Sequence, residues 1–259
     1  MSTSDDWIAH LTQERRPANT VATARRVMRS LPNASDATRE DVEAWWASRA
    51  HLSPATRSND LAILRTFYAW CRRWEHRDDD PTLRIDAPKV PRGLPRPMSR
   101  ADLTRLLPTL PDDLRRAVCL GAYGGLRVSE AAALTWHDVD LETRRIRVLG
   151  KGGKTRLVGM SPLLLDELLP DTGGNVVAAG GAPYTAGTLQ RKVNRAIRAA
   201  GVDCTYHQLR HRFGTVALAA TGNLLAVSRA MGHASPATTA IYAATSDADL
   251  DVIADAVTR

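Results

Sequence analysis

Between Asp6 and Trp74 apolar residues recur at helical spacing, interrupted by short polar breaks. Asn19-Thr20 can open one helix that runs through Met28. The stretch from Pro32 to Asp36 breaks it, and Ser35 or Thr38 starts another that carries Val42, Trp45 and Trp46. Ser53-Pro54 is an N-cap with proline at the first helical position, opening a run with Leu61, Leu64, Phe67, Tyr68 and Trp70. The pattern predicts a bundle of about four short helices.

The segment RDDDPTLRIDAPKVPRGLPRP, from Arg77 to Pro97, breaks the rhythm with five prolines and a charge run, and reads as an extended linker. Beyond it Ser99 caps a helix through Leu107, a second helix covers 112–121 and a third 128–134. Residues 144–149 and 155–160 alternate with the period of a strand and are joined across Lys151-Gly152-Gly153-Lys154, which predicts a hairpin. Further helices are predicted at about 185–200, 206–220, 224–231, 236–242 and 248–256. The resulting fold class is mainly α with one small antiparallel sheet, divided into a helical domain (1–76), a linker (77–98) and a larger domain (99–259).

Composition narrows the class. With 259 residues and 44% apolar side chains the chain can bury a sizeable core, which excludes disorder as its main state. Cys71, Cys119 and Cys204 lie 48 and 85 residues apart with no CxxC pair, so a disulfide framework is not expected and a reducing, cytoplasmic setting fits. Apolar runs such as Leu163 to Leu165 fall far short of the ~18 residues needed to span a bilayer, and the acidic start MSTSDDWIAH is unlike a signal peptide. The formal charge is +7, and 31 of the 35 basic residues are arginine. Such a chain attracts polyanions, and arginine adds bidentate contacts to phosphate; codon bias accounts for the excess equally well. The surplus is shared, with 16 basic against 13 acidic side chains in residues 1–98 and 19 against 15 in 99–259. Codon bias does not explain why two of the four lysines, Lys151 and Lys154, flank the Gly-Gly pair of the hairpin.

That pair is not a phosphate loop. The motif G-x-x-x-x-G-K-[ST] needs a glycine five before Gly153, where Val148 stands, and no GxGxxG occurs, so nucleotide binding has no support. Tyr206-His207-Gln208-Leu209-Arg210-His211 puts His207, Arg210 and His211 at offsets 0, 3 and 4, on one helical face. His207 and His211, with Cys204 or His233, have the spacing of a metal pair, but Arg210 between them would repel a cation; a solvated histidine face is the plainer alternative. Met231-Gly232-His233 precedes a Ser235-Pro236 helix start and then Tyr242, which taken alone is an ordinary helix tyrosine with its hydroxyl at the surface.

Taken together these pieces resemble the tyrosine recombinases, or phage integrases, including the Xer-type enzymes, over nearly the whole chain. The resemblance rests on GAYGGLRVSEAAALTW (Gly121 to Trp136), GKGGKTR (Gly150 to Arg156), HQLRH (His207 to His211) and MGHASPATTAIY (Met231 to Tyr242). Order and spacing match too: 24 residues from Arg127 to Lys151, three from His207 to Arg210 and nine from His233 to Tyr242.

The resemblance implies an N-terminal helical core-binding domain of SAM-like fold and a C-terminal catalytic domain, which clamp opposite faces of a DNA duplex. It implies a site-specific recombinase that cuts one strand at a time through a 3′-phosphotyrosyl intermediate, forms a Holliday junction and needs no cofactor, neither metal nor ATP. The implied partners are double-stranded DNA with inverted core-type sites, a homotetramer assembled on two such sites, and a directionality factor. No membrane is involved, and the expected location is the cytoplasm of a bacterial cell or phage-infected host.

In that chemistry charge builds on the two non-bridging oxygens of a phosphodiester, so a metal-free enzyme needs fixed cations and strong donors around them. Arg127 and Arg210 match the family positions that supply them, with His233 a further donor. Tyr242 matches the nucleophile; a phenol with a pKa near ~10 needs a base or a strongly positive setting, and His207 fits the first role. Lys151 matches the acid that protonates the leaving 5′-oxygen, while its rival Lys154 better matches a phosphate contact. Glu130, three residues after Arg127, matches the acidic position that orients the site, and His211 a supporting residue. Lys154 and Arg156 are expected on the DNA. Tyr68, Tyr123, Tyr184 and Tyr206 fall outside the nucleophile's motif.

The helical pattern begins within the first ten residues and leaves no room for the arm-binding domain of lambda-type integrases. The expectation is a minimal recombinase: a simple phage or mobile-element integrase first, a Xer-type resolvase of chromosome or plasmid dimers second. A non-cleaving DNA-binding protein and a type IB topoisomerase are the rivals, and the intact set Arg127, Lys151, His207, Arg210, His233 and Tyr242 argues against the former. In the tail, Leu250, Ile253, Ala254 and Val257 form an apolar stripe at offsets 0, 3, 4 and 7 behind a Thr245 or Ser246 cap. That stripe must be buried, either on its own domain or on a neighbouring subunit.

Overall fold

A computed structural model describes residues 2–90, 96–150, 153–168 and 173–232, and the chain divides into two compact units, Met1–Gly93 and Leu94–Arg259. The predicted helices at 236–242 and 248–256 lie outside the described residues. Among the described residues no helix is long and apolar enough to cross a membrane.

The first unit is built from α1 (Thr3–Gln13), α2 (Ala18–Ser30), α3 (Arg39–Ser48) and α4 (Pro54–Arg73). Side-chain caps fix where these begin. Ser2 accepts from Asp5 N, Thr38 exchanges hydrogen bonds with Asp41, and Ser53 caps Thr56 N with Pro54 in the first turn. The apolar faces meet in a core that holds Trp7, Leu61, Leu64, Phe67 and Tyr68, with Trp7 edge-on to Phe67 at 5.3 Å. Inside it Asp60 of α4 is completely buried and is held by two guanidinium groups, Arg26 from α2 and Arg49 just after α3. Burial raises an acid's pKa, yet these two cations hold the Asp60 carboxyl below its ordinary range. The chain predicted as linker from Arg77 is packed on this unit as far as Ile85. Arg77 donates to the carbonyls of Ser35 and Ala37, Arg65 donates to Ile85 O at 2.6 Å, and Thr82 and Ile85 are buried. At the other end of the segment Met98 is buried in the core of the second unit.

The second unit opens with α5 (Arg100–Leu106), capped by Ser99, then α6 (Asp112–Gly124) and α7 (Val128–Ala133). A three-stranded antiparallel sheet follows, ordered β1 (Val139–Asp140), β2 (Arg145–Leu149), β3 (Thr155–Gly159). The main hairpin pairs Val148 with Arg156 and Ile146 with Val158, so these four share one face, on which Ile146, Val148 and Val158 are buried. Next come α8 (Pro162–Glu167), a small ladder of β4 (Ala178–Ala179) and β5 (Ala182–Pro183), α9 (Ala186–Ala199), α10 (Tyr206–Thr221) and α11 (Leu224–Met231). α6 runs through the middle of this unit: Leu120 is fully buried and Gly121 lets Tyr206 of α10 come close, since a Cβ there would lie 3.1 Å from its ring. The fold is mainly helical with a small antiparallel sheet, as the pattern predicts. The pattern does not reveal α8, β1 or the β4–β5 ladder, each of six residues or fewer.

Candidate active site

Two tight turns bring the described candidates together. Gly125 ends α6 in the left-handed region with φ 64°, and a Cβ there would meet the Phe213 ring at 2.5 Å. The turn delivers Arg127 to the start of α7, where its backbone N–H donates to Glu130 Oε2 at 2.7 Å and its Nη1 to Glu130 Oε1 at 2.8 Å. The second turn follows α11, where Gly232 takes φ 63°.

α10 contributes three more described candidates. Its first turn is fixed by Thr205 N donating to Gln208 Oε1 at 2.7 Å. His207, Arg210 and His211 then project from one face, as their spacing predicts. Arg210 is buried; its Nη1 donates to Gly125 O and its Nη2 to Met231 O, both at 2.5 Å, and Nη1 stands 3.8 Å from Glu130 Oε2. Arg127, with 39% of its side chain exposed, also reaches the end of α11: Nη1 lies 3.5 Å from Met231 O and Nη2 donates to Gly232 O at 3.0 Å.

Arg156, expected on the DNA, faces inward instead. Its place opposite Val148 puts it on the buried side of the hairpin, and only 11% of its side chain is exposed. Nη1 and Nη2 grip both oxygens of Glu130 at 2.9 and 2.8 Å, and Nε donates to Ala230 O at 2.8 Å. Three guanidinium groups thus lie on three successive carbonyls at the C-terminus of α11, the negative end of its dipole. Sequence reasoning missed this partnership, although the strand alternation held the signal. Lys154 is exposed at the end of the hairpin, where its carbonyl accepts from Gly150 N at 2.8 Å. Lys151, His233 and Tyr242 lie outside the described residues.

The electrostatics follow from this crowding. Burial pushes the Glu130 carboxyl up, but bonds from Arg156 and Arg127 overcome it and hold the acid ionised, below its usual range. Partial desolvation, then the Arg210 and Arg127 charges, lower the His207 imidazole. Burial, then His207 and Arg210, push His211 down to about 4. The two imidazole rings pack edge to face with centroids 4.4 Å apart. Among the described residues no three His, Cys, Asp or Glu side chains form a metal-holding group. The four described tyrosines are held away from phenolate chemistry: burial raises Tyr68, Tyr123 and Tyr206, and burial plus a 2.5 Å bond to Asp113 takes Tyr184 to about 12.

Such a cluster offers an anion concentrated positive charge beside imidazoles that stay neutral near pH 7. Residues 98–249 match the phage integrase family. The chain is 33% identical over 269 aligned residues to tyrosine recombinase XerC of Xanthomonas campestris pv. campestris, covering 93% of this chain and 84% of that one. It is 36% identical to tyrosine recombinase XerD of Xanthomonas axonopodis pv. citri, over 76% of this chain and 74% of that one. Its fold is similar to that of a lambda integrase dimer bound to a COC′ core site, with TM-score 0.77 and 19% identity over 92% of this chain and 93% of that one. It is also similar in fold to a lambda integrase tetramer bound to a Holliday junction, with TM-score 0.75 and 17% identity over 90% of this chain and 77% of that one. The chain belongs to the phage integrase family, the tyrosine recombinases. It is a site-specific DNA recombinase, an enzyme that cleaves and rejoins DNA.

Proposed function

We propose that the start of α7, the first turns of α10 and the end of α11 hold the scissile phosphate of a recombination site. The observation that carries this reading is the meeting of Arg127 and Arg210 at Met231 O, beside one ionised carboxylate. Tyr242 Oη attacks phosphorus, a 3′-phosphotyrosyl bond forms and the bond to the 5′-oxygen breaks. Its proton passes to His207, whose lowered pKa keeps it neutral and able to accept. Arg127, Arg210 and His233 stabilise the charge on the non-bridging oxygens. Lys151 donates a proton to the leaving 5′-oxygen, and Lys154 contacts a neighbouring phosphate. The free 5′-hydroxyl then attacks the partner's phosphotyrosine, which restores the phosphodiester and forms a Holliday junction.

Residues 1–76 serve in this reading as the core-binding domain and 99–259 as the catalytic domain, in a homotetramer on two inverted core-type sites. A directionality factor would bias the outcome. The role is that of a simple phage or mobile-element integrase. The likeness to XerC over 93% of the chain favours a second reading, a resolvase of chromosome or plasmid dimers. Covalent capture decides between them: the protein is incubated with nicked fragments of its own genome, denatured, and the linked DNA is sequenced. Sites at the two ends of a mobile element support the integrase; a single chromosomal or plasmid site supports the resolvase. Absence of any covalent DNA contradicts both.

A further inference from the structure

We propose that Arg156 is a positioning residue for recombination: it fixes Glu130 so that Arg127 keeps both its aim and its positive charge for the scissile phosphate. The inference rests on the role of Arg127 given above.

Three observations carry it. First, Arg156 stands on the inward face of β3, two residues before buried Val158, and only 11% of its side chain is exposed. Second, it spends three N–H groups on fixed partners, a bidentate fork on Glu130 and one bond to Ala230 O, so that one side chain joins β3, α7 and α11. Third, the backbone makes room for it. A Cβ on Gly232 would lie 2.9 Å from Arg156 Nη1 and 3.0 Å from its Cδ, at a backbone φ of 63° that itself favours glycine.

Charge balance supplies the functional consequence. Glu130 faces Arg127 and Arg156 within hydrogen-bond distance and Arg210 at 3.8 Å. Among the described residues this carboxylate is bonded to two guanidinium groups at once, so Arg156 takes up part of the negative charge that Arg127 would otherwise face alone. Without Arg156 the carboxylate would pair chiefly with Arg127, drawing its guanidinium inward and cancelling much of the charge that it offers. A lysine at 156 would restore the charge but not the planar fork or the third bond.

The test uses the full-length protein on a nicked suicide duplex bearing the site recovered by covalent capture. Arg156→Gln should slow adduct formation by about tenfold or more, with site affinity within about twofold and an unchanged salt dependence, and Arg156→Lys should fall between it and wild type. On a duplex whose scissile phosphate is a neutral methylphosphonate, the penalty of Arg156→Gln should shrink to about threefold or less, as should that of Arg127→Ala, because less charge needs stabilising. A loss of affinity with a salt slope reduced by about one would make Arg156 a phosphate contact and overturn the proposal. So would a penalty that persists on the methylphosphonate while that of Arg127→Ala shrinks. If Arg127→Ala is itself not relieved, the reading of Arg127 fails, and the Glu130→Gln background decides for Arg156. Arg156→Gln should then cost less than about twofold in that background, and an undiminished cost would overturn the proposal.

Discussion

Met231 O accepts from both Arg127 and Arg210, so the two arginines are set by the same backbone atom and by Glu130 between them. Because their charge matters most when the phosphate oxygens gain charge, Arg127→Ala and Arg210→Ala should each cost about 3 kcal/mol, or ~10²-fold, in adduct formation. Site affinity, measured by titration of the same duplex, should change far less; equal losses would mark both as ordinary backbone contacts. In the proposed mechanism the histidines set the pH dependence. His207 must be neutral to accept a proton and its pKa is lowered, so the acid limb of the cleavage rate should lie below the ordinary histidine value of about 6.5. His211 is also depressed, to about 4, so its contribution to stability is full above about pH 6.5 and is lost as pH falls toward 4. Thermal melts at pH 7 and pH 5 should show this acid loss in wild type and a smaller one in His211→Gln. At this scale the sequence was informative about His207, Arg210 and Glu130, because offsets of three and four on a helix determine a shared face. It was less so for Arg156, whose type suggests phosphate while its strand parity turns it inward.

Elements with strong end signals were legible from the sequence. Thr38, Ser53 and Ser99 begin α3, α4 and α5 where a cap was expected, since each satisfies a backbone N–H that the helix leaves free. Thr38→Ala should therefore lower stability by about 1 kcal/mol in urea titration. The short pieces were not legible: α8 has a single buried residue, Leu164, and β1 and the β4–β5 ladder are only two residues long, too little for a period to show. Nor could the helical pattern foresee Asp60. It lies on the apolar side of α4 as a buried charge, tolerable only because α2 and the end of α3 each bring a guanidinium group to it. Asp60→Ala would leave Arg49 buried and uncompensated, and should cost on the order of 3 kcal/mol by denaturant unfolding. A cost below about 0.5 kcal/mol would show that the trio contributes nothing.

For the whole molecule, the two units, the +7 charge and the family membership fit an enzyme that works on DNA. The stripe Leu250, Ile253, Ala254 and Val257 lies outside the described residues, and its helical spacing leads to the expectation that it packs on its own domain or on a neighbouring subunit, the second of which a truncation tests. Deleting residues 246–259 should leave single-site binding nearly unchanged in gel-shift titration while recombination between two sites collapses; a truncated protein that recombines normally would contradict this role. The central claim, that the chain attacks DNA with a tyrosine, is tested most directly by identifying the residue joined to DNA. A nicked suicide substrate is incubated with the protein, the denaturation-resistant adduct is digested, and the DNA-bearing peptide is sequenced by mass spectrometry. The account predicts a 3′-phosphate linked to Tyr242, and no adduct from Tyr242→Phe despite intact binding. An adduct on any other residue, or one that persists in Tyr242→Phe, would contradict it.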